Sequence, residues 1–354
     1  MRINGEMLTL AREYRDLRQQ EVAEAIGVSQ SLIAKLESGL KSEMEDAAFN
    51  KIVDVLNFPA RFFTQTEQLL GFGSSAYFYR KRSSIPASER RRIHCAVNLQ
   101  RIAIKKYTDL IDIDPSKKLP LFDIEEYANS ASNIARALRV AWGMPDGPVR
   151  NLTAIVESAG ILVVPCDFGT NAFDATSLRL ADMPPVVFMN SNVPGDRWRF
   201  TLAHELGHLV MHTVPHERME EEANEFAAEF LTPASEITPN LIRMKAWRMP
   251  DVVQLKLFWK VSMAMLLTRA HDLKIFSDEE VKKLYIRNAS IRRQEPYPLD
   301  QEKANSIFRT IETIRDDLEF GIAGIAELNR WPEDVTQKFL FSSLPAPARL
   351  RIVR

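Results

Sequence analysis

Two histidines and a glutamate in the middle of the chain have residue types and a spacing that suit metal chemistry. Residues 199–212 read RFTLAHELGHLVMH, in which His204 and His208 are four residues apart. On an α-helix their imidazoles project from one face, one turn apart, and two such nitrogens suit one tetrahedral zinc ion. Glu205 lies about 100° around the same helix, where a carboxylate can take a proton from water at the metal. The motif therefore predicts a Zn²⁺ site with Glu205 as the general base.

A second helical stretch supplies candidates for the third metal ligand. Residues 220–231 read EEEANEFAAEFL, in which Glu220 and Asn224 are four residues apart, on the face opposite an apolar seam. One carboxylate here would complete a set of two histidines and one carboxylate, which leaves a position for water as catalytic zinc requires. Asn224 would then orient a histidine ring through its other nitrogen. Glu221 and Glu222 compete for the ligand role, because periodicity fixes the phase of a helix only to within a residue.

The remaining histidines of this region receive lesser roles. His212 continues the row of the motif histidines by one turn. It could touch the metal, but its distance from His204 favours a surface position or a supporting contact to a ligand. His216 is predicted to lie in a loop. The longer metzincin motif needs glycine and histidine where Met211 and Val214 stand, so that class is excluded.

The elements around the motif are a mixture of helix and strand. NLTAIVESAG followed by ILVVP predicts a helix and then a strand, and residues 184–190 (PPVVFMN) predict a second buried strand. The helices that carry the chemistry are expected over residues 197–212 and 220–231. Beyond residue 255 the pattern is wholly helical.

The N-terminal region has the pattern of a small all-α unit. Residues 19–26 (QQEVAEAI) and 30–37 (QSLIAKLE) are helical in periodicity. Between them, Gly27 suits a left-handed helix end and Ser29 suits an N-cap. Two helices joined by such a tight turn are the signature of a helix-turn-helix.

In a helix-turn-helix the second helix lies in the major groove, and residues near its start reach base edges. Here those residues are Gln30, Ser31 and Lys35, with Gln19 placed to contact phosphate. Glutamine can read adenine, and lysine can contact guanine or phosphate. The alternative is a helical interaction domain that does not bind DNA, which is favoured by the seven basic and ten acidic side chains of residues 1–60.

Positive charge is concentrated after this unit. Residues 80–106 hold nine basic side chains and one acidic one, Glu89, in a chain of net charge −1. This stretch either supplies phosphate contacts, which dominate nucleic-acid affinity, or forms a solvated helix face. Residues 71–84 (GFGSSAYFYRKRSS) are rich in glycine, serine and basic residues, which predicts a linker.

Together these stretches resemble a known fusion of two domains. The stretches that carry the resemblance are GVSQSLIAKLESG, FYRKRSSIPASERRR, NLTAIVESAGILVVP, FDATS, DRWRFTLAHELGHLVMH, EEEANEFAAEFLTP and LKLFWKVSMAMLLTRAHDL. They are similar to an XRE-type, lambda-repressor-like helix-turn-helix domain fused to a zinc metallopeptidase of the ImmA/IrrE family. The resemblance covers almost the whole chain, and it departs from the family at Thr232, where methionine usually precedes Pro233.

The resemblance implies a site and a function. It implies His204, His208 and Glu220 as metal ligands, with Glu205 as the catalytic acid and base. Members of the family are thought to cleave or inactivate a partner repressor, so it also implies a DNA-associated zinc endopeptidase that regulates transcription. The protein substrate would be an XRE-type repressor or a toxin-antitoxin partner. The alternative is a non-proteolytic regulator or antitoxin that senses metal or a partner, although sensing alone has no need for Glu205.

We therefore predict an α+β chain, mostly helical, in four parts. They are a helix-turn-helix domain at residues 1–66, a basic linker and helical region at 67–128, a zincin-like metallopeptidase domain with a small sheet at 129–275, and a helical C-terminal region at 276–354. DNA readers of this kind often act as dimers, so a homodimer is a further expectation.

The composition favours a cytoplasmic protein that does not associate with membranes. No run of about 18 apolar residues occurs, and the N-terminus lacks the apolar core of a signal peptide. Cys95 and Cys166 are the only cysteines, which excludes a cysteine-rich metal site and suits a reducing compartment.

Overall fold

The computed structural model describes residues 1–70, 85–244, 247–287 and 295–341. The predicted linker at 71–84, with Arg80, Lys81 and Arg82 of the basic stretch, lies outside the described residues. The chain divides into two compact units. The first consists of Met1–Phe72, Ile85–Asp112 and Phe308–Arg354, and the second of Gly73–Ser84 and Ile113–Ile307.

Both units are mainly helical, and the second contains a small sheet, as the sequence predicted. The helices are α1 (Gly5–Tyr14), α2 (Gln19–Ile26), α3 (Gln30–Glu37), α4 (Asp46–Leu56), α5 (Ala87–Thr108), α6 (Ala131–Ala141), α7 (Leu152–Ser158), α8 (Gly195–Met211), α9 (Met219–Leu231), α10 (Ala234–Arg243), α11 (Met249–Trp259), α12 (Met263–Asp272), α13 (Asp278–Arg287), α14 (Ser306–Asp317), α15 (Ile322–Asn329) and α16 (Glu333–Thr336). The strands are β1 (Leu162–Cys166), β2 (Ala175–Leu178) and β3 (Val186–Asn190). Among the described residues, no helix is long and apolar enough to cross a membrane.

The turn between α2 and α3 forms as the sequence predicted. Gly27 ends α2 with φ 78°, a left-handed conformation that glycine adopts without steric cost. The Ser29 hydroxyl accepts a hydrogen bond from the Leu32 N–H and so caps α3. Arg12 of α1 donates two hydrogen bonds to the Glu37 carboxylate at the end of α3. These contacts fix the direction of α3 within the first unit.

The last part of the chain belongs to the first unit, where it contacts α5. The Asn329 side chain donates a hydrogen bond of 2.6 Å to the Tyr107 hydroxyl, and burial raises the pKa of Tyr107. The Lys106 ammonium donates to the carbonyl oxygens of Leu328 and Asn329 and to Gln65. The C-terminal helices therefore pack in the same unit as the N-terminal ones.

In the second unit a three-stranded sheet supports the helices of the motif. The strand order is β1-β3-β2, with β1 parallel and β2 antiparallel to β3. The sequence predicted β1 and β3 but not the four-residue β2. Every position of β3 is buried, which explains its continuous apolar run.

The two motif helices, α8 and α9, lie in close contact. A Cβ atom added at Gly207 of α8 would be 3.0 Å from a ring carbon of Phe226 on α9. Glycine at this position therefore permits the close approach of the helices. Buried ion pairs also hold α8 in place: Arg199 pairs with Glu302, and Asp196 pairs with Lys256.

Candidate functional site

Helices α8 and α9 bring together the three side chains that the sequence analysis selected as metal ligands. We call His204, His208 and Glu220 the motif trio. The Nε2 atoms of His204 and His208 are 3.0 Å apart. The Glu220 carboxylate oxygens lie 3.7 Å from His204 Nε2 and 3.5 Å from His208 Nε2. Three lone pairs therefore converge on one small volume.

The motif trio fits the ligand set of a zinc ion. In a tetrahedral site with zinc–ligand bonds of about 2.0–2.1 Å, the ligand atoms are about 3.3 Å from one another. The observed spacings bracket that value, and all three ligand atoms lie within 4.8 Å of one another. Two imidazole nitrogens and one carboxylate suit a borderline divalent ion better than calcium or magnesium, which prefer oxygen ligands alone.

Asn224 lies beside a ring of the trio. Its Oδ1 atom is 3.0 Å from His204 Nδ1, so the amide oxygen can accept the Nδ1 proton and leave Nε2 for a metal. Burial and the neighbouring His208 lower the pKa of His204. The ring is therefore neutral at neutral pH, which is the form that binds metal.

Glu205 lies next to the trio and is held by a residue that sequence reasoning missed. The Glu205 side chain is buried, and the Ser177 hydroxyl of β2 donates a hydrogen bond of 2.6 Å to its Oε2 atom. This contact holds the carboxylate in one orientation. The only signal in the sequence was the short FDATS stretch, which gives no spacing relative to Glu205.

The three consecutive glutamates at the start of α9 have three different environments. Glu220 reaches the motif trio. Glu221 has a side chain that is 80% exposed, and its carboxylate lies 3.9 Å from Arg218. Glu222 is buried and faces two other histidines. The sequence left open which of the three glutamates faces the motif histidines, and in the structure it is Glu220.

A second group of side chains adjoins the first. We call His212, His216 and Glu222 the distal trio. His212 Nε2 is 3.1 Å and His216 Nε2 is 3.4 Å from Glu222 Oε2. His212 Nδ1 is 2.8 Å from His208 Nδ1, so it makes the supporting contact to a motif residue that was one of its two predicted roles. Burial, with the nearby His208 and His216 rings, lowers the pKa of His212 to about 3.

In the first unit, two of the predicted DNA-contacting side chains bond to each other. Gln30 Nε2 donates to Gln19 Oε1 over 2.7 Å, and Gln19 Nε2 donates to Glu37 Oε2 over 2.7 Å. Gln30, Ser31 and Lys35 are exposed at the surface. The chain of amides holds the Gln30 side chain at the start of α3.

The basic stretch contributes to this surface only in part. Arg91 of α5 lines an open cleft together with Arg18, Gln19 and Gln30. By contrast, Arg101 is buried and donates to a main-chain carbonyl. The stretch is therefore neither a uniform phosphate-binding face nor a uniform solvated one, because its last turns point into the first unit.

Comparisons with known protein families find matches in both regions of the chain that carry these side chains. Residues 156–271 match the peptidase-family model described as the IrrE N-terminal-like domain, and residues 5–61 match the model of a helix-turn-helix domain. The chain joins a helix-turn-helix domain to an IrrE N-terminal-like domain. This confirms the fusion that the sequence motifs predicted. No curated protein matches the chain. The motif trio, Glu205, Asn224 and the distal trio all lie inside the IrrE N-terminal-like domain, and the Gln19–Gln30 pair lies inside the helix-turn-helix domain.

Proposed function

We propose that this chain is a DNA-associated, zinc-dependent endopeptidase that regulates transcription by cleaving or inactivating a partner protein such as a repressor. The observation that carries the proposal is the convergence of His204, His208 and Glu220 beside a buried, oriented Glu205, within a metallopeptidase-type domain. His204, His208 and Glu220 would hold Zn²⁺, and Asn224 would orient the His204 ring.

The side chains present can perform the proton transfers of peptide hydrolysis. Zinc, when bound, supplies a Lewis acid that polarises the scissile carbonyl. Glu205 takes a proton from the attacking water as its oxygen adds to the carbonyl carbon, and then gives a proton to the leaving amine as the C–N bond breaks. Ser177 keeps the Glu205 carboxylate in one orientation through both transfers. Water is consumed, and no other reactant is needed.

The helix-turn-helix domain would deliver the peptidase to DNA. Exposed Gln30, Ser31 and Lys35 would face base edges, with Gln19 and Arg91 at phosphate. A substrate bound to the same DNA would then be present at high effective concentration.

Incubation of the purified, zinc-loaded chain with a panel of XRE-type repressors tests this proposal. We expect one repressor to be cut at a defined bond, seen as two fragments by mass spectrometry. A chelator should stop the cleavage, and added Zn²⁺ should restore it. Cleavage that survives complete removal of metal would contradict the proposal, as would intact repressors under every condition.

A further inference from the structure

The distal trio has the chemistry of a metal site in its own right. Its three ligand atoms, two imidazole nitrogens and one carboxylate oxygen, lie within 4.8 Å of one another. The two distances to Glu222, 3.1 Å and 3.4 Å, are close to the ligand spacing of about 3.3 Å in a tetrahedral zinc site. His216 is exposed, so an ion can reach the group from solvent.

The charge at Glu222 also favours a cation there. Its side chain is 5% exposed, and in the described part of the chain its ion-pair partners are His212 and His216. A buried carboxylate requires positive charge or strong hydrogen bonds to offset its lost hydration. The two imidazoles provide hydrogen bonds to this carboxylate, and a divalent ion would add positive charge.

We infer that His212, His216 and Glu222 form a second site for a divalent transition-metal ion, which competes with the site of the motif trio. This competition presupposes the metal site that we proposed at the motif trio. The reason for the competition is the contact between the two trios, in which His208 Nδ1 lies 2.8 Å from His212 Nδ1.

A neutral imidazole carries one ring proton, and a metal on Nε2 places that proton on Nδ1. With metal at the motif trio, His208 Nδ1 donates to His212 Nδ1. The proton of His212 is then on Nε2, where it is donated to Glu222 and excludes a metal. With metal at the distal trio the pattern reverses, and His208 carries its proton on Nε2. Two neutral rings that share this hydrogen bond therefore permit one metal at a time.

The site also has a consequence for regulation. An ion at the distal trio would withdraw His208 from the motif trio and so weaken metal binding there. Because the two sites exclude each other, the ratio of their affinities, and not the total metal concentration, would set the fraction of metal-loaded chains that can act as the proposed peptidase.

Zinc binding by the full chain tests the inference without any assay of proteolysis. Metal-free protein is dialysed at neutral pH against buffered free Zn²⁺, and bound zinc is measured by elemental mass spectrometry. We expect one zinc per chain in the wild type. The His204→Ala variant, which lacks a motif ligand, should still bind one zinc, more weakly than the wild type. Adding His216→Ala or Glu222→Gln to that variant should weaken binding by at least about a further tenfold.

The matched control is His204→Ala with His271→Ala, since His271 contacts Asp278 and belongs to neither trio. This control should bind zinc like His204→Ala alone, and circular dichroism should show that every variant is folded. No zinc on His204→Ala would overturn the distal site, and two zinc ions on the wild type would overturn the competition. A wild type that binds zinc as expected but cuts no repressor would contradict the proposed peptidase and leave the distal site standing.

Discussion

At the residue scale, each proposed histidine ligand has a partner at its Nδ1 atom. Asn224 is the clearest case, because its amide oxygen faces His204 Nδ1 at 3.0 Å. We expect Asn224→Ala to weaken zinc binding by about 10–100-fold, since the ring is then free to rotate and to change tautomer. Competition with a zinc chelator measures the affinity.

The control for this prediction is Glu221→Ala, a change on the exposed face of the same helix. It should leave the zinc affinity as it is. An Asn224→Ala variant that binds zinc as tightly as Glu221→Ala would show that the contact to His204 does not orient the ligand.

Ser177 supports the proposed base rather than the metal. Its hydroxyl donates to Glu205 Oε2, and hydrogen bonds to charged groups contribute about 1.5–3 kcal/mol. We expect Ser177→Ala to lower the rate of repressor cleavage by roughly tenfold or more. The zinc content should not change. A loss of zinc parallel to the loss of rate would assign Ser177 to the metal site instead.

The sequence could predict Asn224 but not Ser177. Asn224 is four residues from Glu220 on one helix, so helical periodicity alone relates the two. Ser177 reaches Glu205 across 28 residues of chain, and that contact depends on where β2 lies in the sheet. The split of Glu220, Glu221 and Glu222 into three environments likewise depends on how α9 packs on α8.

At the scale of elements, the approach of α8 and α9 limits what residue 207 can be. A Cβ atom there would be 3.0 Å from the Phe226 ring, and overpacking of this kind typically costs about 1–3 kcal/mol. We expect Gly207→Ala to lower the Tm of the second unit. Combining Gly207→Ala with Phe226→Leu should recover part of the lost stability, because the smaller side chain makes room for the added methyl group. If the double variant is no more stable than the sum of the two single effects predicts, the steric explanation is wrong.

Lys106 predicts a pH dependence for the first unit. Burial, the largest cause, lowers the pKa of Lys106 from 10.5 to about 8. Between these values the unfolded chain keeps a proton that the folded chain has lost, so the free energy of unfolding rises with pH. The slope from one such group is at most about 1.4 kcal/mol per pH unit, and less here because the side chain is partly exposed.

Urea denaturation at pH 8 and 10.5, roughly the ends of this window, measures the effect. The free energy of unfolding of Lys106→Met should rise less between these two conditions than that of the wild type. Equal changes in the two proteins would mean that Lys106 titrates normally.

The residues proposed to contact DNA can be separated into those that read bases, such as Gln30 of α3, and those that contact phosphate, such as Arg91 of α5. On DNA from upstream of its own gene, Gln30→Ala should make the free energy of DNA binding less favourable by about 1–3 kcal/mol and relax the preference for one base.

Arg91→Ala should weaken DNA binding about equally on all sequences and reduce the slope of log affinity against log salt concentration by about one. Gel shifts over a salt series measure both, and a change at Arg91 without effect on the salt slope would remove it from the phosphate contacts.

At the scale of the whole molecule, local patterns predicted most helices and the order of the two domain types. α2 and α3 follow from turn chemistry at Gly27 and Ser29, and β1 and β3 follow from their apolar runs. The grouping of Phe308–Arg354 with the N-terminal helices was beyond prediction, because it depends on contacts such as Asn329 to Tyr107 over 222 residues. No periodicity in the sequence encodes such a pairing.

The central claim is that Glu205 performs peptide hydrolysis at a metal held by the motif trio. The most direct measurement compares the wild type with Glu205→Gln, each co-expressed with the same XRE-type repressor and each analysed for bound zinc. We predict equal zinc in both proteins, cleavage by the wild type and an intact repressor with Glu205→Gln. Full cleavage by a zinc-loaded Glu205→Gln variant would contradict the account.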